Sequence, residues 1–379
     1  MKTLLVAGGS GGHLIPALTL SQRLQAEGPC LMLSTARPVD KALEGSSPLV
    51  EWVTVDMRQW TPLTRWLSPS YIAHQLGAAR RIWVLLRQAK PDVVIGFGGY
   101  LSAVGLAAAR LQRIPTVIHE QNLIPGRANQ WLAPLADAVG LSFRETARFL
   151  PRKTVVEVTG NPVRPRLREI PFETARSHFG FDTERPVLLV MGGSQGSQAI
   201  NGVVLKMWEK ALPEDRHRLQ VIHLTGARRF DEVEGAYRRL EIEARVFPFL
   251  REMEFALAAA TLAVSRAGAT AINEMVTLGL PAILIPYPHA GGHQRVNAYW
   301  MEFTGGAVVL EENQLTPEKL WDRVSALLWN PEQFAQMKNA LRKWADGSAV
   351  EKLGALVCRV AGRESRPVQE EQLAEQGAR

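Results

Sequence analysis

Four stretches of the chain set glycines beside polar side chains: "GGSGGHLIPA" (8–17), "GGSQGSQAIN" (192–201), "SRAGATAINE" (265–274) and "HAGGHQRVNA" (289–298). The first three each follow a short apolar run. A glycine loop between a strand and a helix lets the backbone come close to a ligand. The N–H groups of the helix start then favour phosphate or an acceptor oxygen. Two such loops in matching places predict a ligand held in a cleft between two domains. Glu274 falls about one turn into a helix opening near Thr270, where a carboxylate can accept both hydrogen bonds of a ribose diol. The 289–298 cluster is dense in amide and imidazole groups and suits a sugar with many hydroxyls. "IGFGGYLS" (95–102) and "VIHEQNLIPGRANQ" (117–130) also gather polar groups beyond strand ends, where open α/β sheets bind ligands.

Several chemistries are excluded. Neither early loop ends in the GKS or GKT of a P-loop, which disfavours nucleoside triphosphate hydrolysis. "GGSGGH" lacks the G-x-G-x-x-G spacing, and the following strand "CLMLST" carries no acid to read a nicotinamide ribose, so a dehydrogenase is a poor fit. No Asp-x-Asp occurs, so no metal site and no cofactor are expected; helix ends and arginine must balance a diphosphate.

These loops need strands to carry them. Short β-branched runs lie at 3–7, 30–35, 51–55, 92–97, 115–120, 138–142 and 155–160, and again at 187–193, 220–226, 244–249, 262–266, 282–288 and 307–312. Near-continuous apolar strands alternating with helices predict parallel sheets covered on both faces. The pattern restarts near residue 186, after a connector rich in proline and charge. The fold class is therefore α/β, with two Rossmann-like domains facing across a cleft. Expected bounds are 1–163 for the first domain and 164–345 for the second. A helix at about 346–362 is expected to pack back on the first, and 363–379 to be a disordered tail.

The 379 residues exceed one ordinary core, and 46% apolar with 21% charged residues is a globular composition. A net charge of +7 favours anionic partners. No Lys/Arg stripe with interleaved aromatics appears, so nucleic acid is not an expected partner. Cys30 and Cys358 form no metal or redox pattern, and no signal peptide or membrane-spanning run is read. The stretch 58–88 mixes aromatics with arginines, which suits an anionic membrane surface. Ile72, Leu76, Trp83 and Leu86 share helical spacing and are expected to form the inner, core-facing side. Trp60, Arg65, Trp66, Leu67, Arg80 and Arg81 are expected to face the membrane.

Taken together, "GGSGGHLIPALTLS", "GFGGYLS", "HEQNLIPGRAN", "VTGNPVR", "GGSQGSQAIN", "SRAGATAINE" and "PYPHAGGHQRVNA" resemble the MurG family of UDP-N-acetylglucosamine transferases, in the family's order and from residue 3 to about 300. The resemblance implies the GT-B glycosyltransferase fold and an inverting transfer. GlcNAc would pass from UDP-GlcNAc to the MurNAc 4-hydroxyl of undecaprenyl-diphospho-MurNAc-pentapeptide (lipid I), giving lipid II for peptidoglycan. It implies a peripheral protein on the cytoplasmic face of the cell membrane, with other cell-wall synthesis proteins as partners. The second domain would hold the donor and the first the acceptor. Residue by residue, it places Ser10, Gly11 and Gly12 in the loop that meets the donor. Asn122, Arg164 and Ser194 match donor-binding positions, and Leu250 matches the one whose backbone meets the uracil. Ala269, Thr270, Ala271, Ile272, Asn273 and Glu274 match the diphosphate and ribose segment, and Gln294 the GlcNAc hydroxyls. Two positions depart from the family: Ala271 stands where a threonine is common, and Val104 replaces a proline.

The acceptor hydroxyl needs a base. His13 is the first choice, since a neutral imidazole titrates in the right range. His119 and Glu120, at a strand end, are its rivals. Other functions of the same fold stay open: another lipid glycosyltransferase, a UDP-GlcNAc 2-epimerase, or a non-catalytic nucleotide-sugar sensor.

Overall fold

The computed structural model describes residues 1–45, 50–57, 68–289 and 291–364. The chain divides into two compact units. One comprises Met1–Pro162 together with the stretch from Ser348 onward; the other is Val163–Gly347.

The first unit is built on strands β1 (Thr3–Val6), β2 (Cys30–Ser34), β3 (Val50–Thr54), β4 (Val93–Gly96), β5 (Thr116–Glu120), β6 (Ala138–Leu141) and β7 (Val156–Val158), in the order β3-β2-β1-β4-β5-β6-β7. The second uses β8 (Val187–Met191), β9 (Gln220–Leu224), β10 (Ala244–Phe247), β11 (Leu262–Ser265), β12 (Ala282–Leu284) and β13 (Ala307–Val309), in the order β10-β9-β8-β11-β12-β13. The pairings among the described strands are parallel, as in β1–β4 and β8–β11. Every strand expected from the sequence has its counterpart. The order reverses direction between β1 and β4, and between β8 and β11. Those are the switch points where such sheets open a crevice beyond their strand ends.

Why the inner strands are mostly apolar is clearest at β8. Val187, Leu189 and Met191 face one core, with Ile272 and Met275; Leu188 and Val190 face the other, with Ile200 and Trp208. With period-two side chains and helices on both faces, β8 has no position at which a polar side chain would meet water.

The Ala349–Val360 helix belongs to the first unit, packing on the Gly11–Leu24 helix and on β4, β5 and β6. Leu353 is fully buried against Gly140, where a Cβ would come within 2.9 Å of its Cδ1. Arg23, itself buried, holds Glu351 at 2.6 Å and Glu27 at 3.2 Å. The expected tail lies outside the described residues from 365 on.

One sequence expectation is overturned on the Pro69–Ala89 helix. Its buried stripe is Gln75, Ala78, Ile82 and Leu86. Ile72 and Leu76 are 45% and 65% exposed, so they form no part of the core. The helix carries two apolar stripes, and helical spacing alone does not tell which one the sheet covers.

His119 on β5 and His223 on β9 are fully buried, each with protein partners at both ring nitrogens. Burial pushes their pKa values down to about 4 and about 3. The unfolded chain takes these protons near pH 6.5, whereas the folded chain does not until much lower pH. Stability is therefore lost as pH falls from about 6.5 toward 4, by up to about 1.4 kcal/mol per pH unit for each histidine. Urea titrations at pH 7 and pH 5 should show the drop, and His223→Gln should make it shallower; an unchanged slope in that variant would remove His223 from the account.

Candidate functional site

In the first unit the loop after β1 leads into the Gly11–Leu24 helix, with Ser10 at its N-cap. The Ser10 side chain makes no capping bond, while its carbonyl accepts from the N–H groups of His13 and Leu14, both at 3.2 Å. The loop is held from beside β2. Asp40, fully buried, accepts from the Gly9 N–H at 2.8 Å and the Thr35 N–H at 3.0 Å. Arg37 donates to the Gly9 carbonyl at 3.1 Å. Gly11 and Gly12 open the helix's first turn.

His13 sits half-buried with its ring over the Gly98–Gly99 backbone, just beyond β4. A Cβ on Gly98 would meet Nε2 at 3.2 Å, and its φ of +100° also demands glycine. Nδ1 lies 3.4 Å from the Gly8 carbonyl. A carbonyl only accepts, so Nδ1 carries the proton and Nε2 keeps its lone pair. Burial lowers the His13 pKa below its ordinary value, partly offset by the Gly8 bond and the Glu120 charge.

The rivals are placed differently. His119 Nε2 donates to the Gly160 carbonyl at 3.0 Å, and Nδ1 accepts from Gln121 Nε2 at 3.1 Å. Glu120 is buried and accepts four bonds. Oε1 takes the Asn122 N–H (2.8 Å) and Nδ2 (3.1 Å); Oε2 takes the Gly126 N–H (2.9 Å) and Asn129 Nδ2 (2.8 Å). Its carboxylate thus shapes the loop that presents Asn122. Sequence reasoning passed over Arg37, Asp40 and Asn129. Only Asn129 left a signal, as the second asparagine of "HEQNLIPGRAN".

In the second unit the loop after β8 ends at Ser197, whose Oγ accepts from the Ile200 N–H at 3.3 Å and caps the Gln198–Lys210 helix. Ser194 stands exposed on this loop. The loop interlocks with the turn after β9: a Cβ on Gly196 would lie 2.0 Å from the Thr225 carbonyl, and one on Gly226 2.2 Å from that of Gln195. A buried polar chain fixes that turn from below. Asn201 Nδ2 donates to the Thr225 carbonyl (2.9 Å), His223 Nε2 to Asn201 Oδ1 (3.1 Å), and the Tyr237 hydroxyl to His223 Nδ1 (2.9 Å). Committing the Asn201 amide to a carbonyl sets every donor in the chain.

After β11, Gly268 caps the Ala269–Leu278 helix. Thr270, Ile272 and Glu274 are buried, while Ala271 and Asn273 are half-exposed. Asn273 Nδ2 turns back to the Ala269 carbonyl at 2.8 Å. Glu274 pairs with Arg164, whose Nε also lies 3.7 Å from Glu254. Burial raises the Glu274 pKa, and the Arg164 guanidinium counters it. Leu250 is half-buried between β10 and the Met253–Ala259 helix, packed on the core. Gln294, second residue of the His293–Phe303 helix, accepts from the Tyr287 N–H at 3.0 Å through Oε1. Its amide N–H groups therefore point away from Tyr287.

The structure thus gathers Ser10, Gly11, Gly12, His13, His119, Glu120 and Asn122 at the strand ends of the first unit. It gathers Arg164, Ser194, Leu250, the 269–274 segment and Gln294 in the second. Among the described residues no cluster of His, Cys, Asp and Glu could hold a metal ion.

Residues 3–141 match the glycosyltransferase family 28 N-terminal domain, and residues 187–352 its C-terminal domain. The chain is similar to a UDP-N-acetylglucosamine--N-acetylmuramyl-(pentapeptide) pyrophosphoryl-undecaprenol N-acetylglucosamine transferase of Syntrophotalea carbinolica, with 38% identity covering 96% of this chain and 100% of that one. It is also similar to the enzyme so named in Nitrosococcus oceani, at 37% over 90% and 94%. Among solved structures, Acinetobacter baumannii MurG superposes with a TM-score of 0.71 at 26% identity, covering 94% and 99%. A Listeria monocytogenes protein described as a UDP-N-acetylglucosamine 2-epimerase also gives 0.71, at 15% identity over 97% and 99%, which shows the shared GT-B fold alone. Relatives this similar over nearly full length, with both family 28 domains in order, place the chain in glycosyltransferase family 28, among the MurG transferases.

Proposed function

We propose that the protein transfers GlcNAc from UDP-GlcNAc to the 4-hydroxyl of the MurNAc in lipid I, giving lipid II and UDP. The first unit supplies the base and the second binds the donor. The observation that carries the role assignment is the state of the three candidate bases. His119 has both ring nitrogens engaged and Glu120 has both oxygens engaged, whereas His13 Nε2 keeps a lone pair. In the reaction the acceptor oxygen bonds to C1 of GlcNAc as the C1–O bond to the diphosphate breaks, and Nε2 takes the hydroxyl proton. Arg164 and the helix starts after Ser197 and Gly268 offset charge on the leaving UDP. Glu274 accepts from the ribose and the Gln294 amide donates to the sugar hydroxyls.

Docking of the first unit on an anionic membrane surface is part of this reading. No described helix is long and apolar enough to cross a membrane. Ile72 and Leu76 form an exposed apolar stripe on the Pro69–Ala89 helix, continued by half-buried Trp83. Arg80, Arg81 and Arg87 are exposed on the same helix, and the Arg87 guanidinium lies 5.9 Å from the Trp83 ring. Aromatic and aliphatic groups beside arginines suit the headgroup layer. Trp60, Arg65, Trp66 and Leu67, also expected at this face, lie outside the described residues.

The decisive experiment supplies labelled UDP-GlcNAc with and without a short-chain lipid I analogue. Glycolipid product only with the acceptor supports transfer. UDP-ManNAc formed without acceptor would support an epimerase, and donor binding with no product would support a sensor.

His13→Gln should lower kcat by about 10²–10⁴-fold while UDP binding stays near the parent value. The base works neutral and its pKa is lowered, so the acid limb of kcat/KM in the parent should lie below the ordinary histidine value of about 6.5. A limb that persists unchanged in His13→Gln would overturn this role.

Gln294→Glu keeps an acceptor for the Tyr287 N–H but removes the amide donor. It should weaken UDP-GlcNAc by about 1–3 kcal/mol and leave UDP nearly unaffected in calorimetry. Equal losses for both would move Gln294 onto the nucleotide.

An Ile72→Ser, Leu76→Ser double variant, folded by circular dichroism, should lose most of its co-sedimentation with anionic vesicles at physiological salt. Parent-like binding would exclude this stripe as the docking face.

A further inference from the structure

Arg266 lies at the C-terminal end of β11, at the switch point of the six-stranded sheet, and its residue is only 8% exposed. Its Nη1 donates to the carbonyls of Ile285 (3.1 Å) and Pro286 (3.3 Å). Its Nη2 donates to Ser197 Oγ (2.8 Å) and pairs with Glu312 at 2.5 Å. The Tyr287 ring centroid is 5.2 Å from the guanidinium carbon. One side chain therefore touches the end of the β8 loop, the end of β12 and the short turn containing Glu312.

We propose that Arg266 is a positioning residue that locks the two parts of the donor site to each other: the 192–197 loop on the diphosphate side and Tyr287 with Gln294 on the sugar side. The inference rests on the donor-binding reading above. On the diphosphate side, Ser197 Oγ accepts from both the Ile200 N–H and Arg266, so the guanidinium orients the hydroxyl that caps the helix. On the sugar side, the Ile285 and Pro286 carbonyls immediately precede Tyr287, whose N–H is held by Gln294. The 285–287 backbone is thus pinned by Arg266 through its carbonyls and by Gln294 through its N–H. Burying a cation is costly and is weak support for stability in itself. What the planar fork provides is several fixed directions at once, which a lysine ammonium cannot match. Arg266 lies apart from Arg164, which pairs with Glu274.

The test uses the full-length protein with UDP and UDP-GlcNAc in calorimetry, initial rates with a lipid I analogue, and thermal midpoints. Arg266→Lys should raise the UDP Kd and the UDP-GlcNAc KM by about tenfold or more, with the acceptor KM unchanged. In the parent, Ser197→Ala and Gln294→Ala should be coupled, their joint effect on UDP-GlcNAc Kd departing from the product of the single effects by about threefold or more. In the Arg266→Lys background the coupling should vanish. Ser197 and Gln294 acting independently in the parent would overturn the proposal, and this cycle decides the matter even if Arg266→Lys does not fold. UDP and UDP-GlcNAc affinities unaffected by a folded Arg266→Lys would overturn it alone. A parent with no affinity for UDP would overturn the donor reading together with it.

Discussion

Parallel pairing is the constraint from which the rest follows. The inner strands of both sheets are covered on two faces, so their side chains are spent on packing, as the alternation of Leu188 and Leu189 between separate cores shows. Chemistry is pushed to the strand ends, where the chain leaves the sheet. His13, Glu120, Ser194, Glu274 and Gln294 all lie within a few residues of a strand's C-terminal end or in the helix that follows. A loop in such a place has no ladder to hold it. It must be held by something buried beneath.

Each unit meets that need with polar groups taken out of water and fully engaged. Glu120 spends its carboxylate on four N–H donors, and Asp40 spends its own on Gly9 and Thr35. The Tyr237–His223–Asn201 chain holds the Thr225 carbonyl that the Gly196 backbone rests on. Such groups are costly when half-satisfied and specify one geometry when complete. Their engagement also separates them from reaction chemistry. A carboxylate with every oxygen occupied is poorly placed to accept a proton, which is why the less encumbered His13 is the proposed base.

The strands were legible because a doubly covered strand must be apolar and β-branched, a local property of sequence. The glycine loops were legible for the same reason, since close approach and positive φ single out glycine whatever lies opposite. Glu274 could be picked out by its offset from one of those loops, whereas Gln294 was singled out by the family resemblance within a polar cluster. Arg37, Asp40 and Arg266 could not, because their partners lie across the fold: Arg266 reaches Ser197, Ile285 and Glu312 from three separate segments. Ile72 and Leu76 failed differently. Their spacing is helical, but which stripe of a helix faces the sheet is decided by tertiary packing.

The return of the Ala349–Val360 helix to the first unit has a consequence for the order in which the protein can be made. Synthesis delivers β1 to β7 first, yet the surface around Gly140 and Arg23 is covered by Leu353, Gly354 and Glu351, more than three hundred residues after β1. The second unit lies wholly between these events and has all its strands before the first unit is complete. The domain whose N-terminus emerges earliest from the ribosome is thus the last to be finished. Until then it carries an uncovered apolar seam and an arginine lacking one of its two carboxylates, the kind of exposed surface that nascent-chain chaperones recognise.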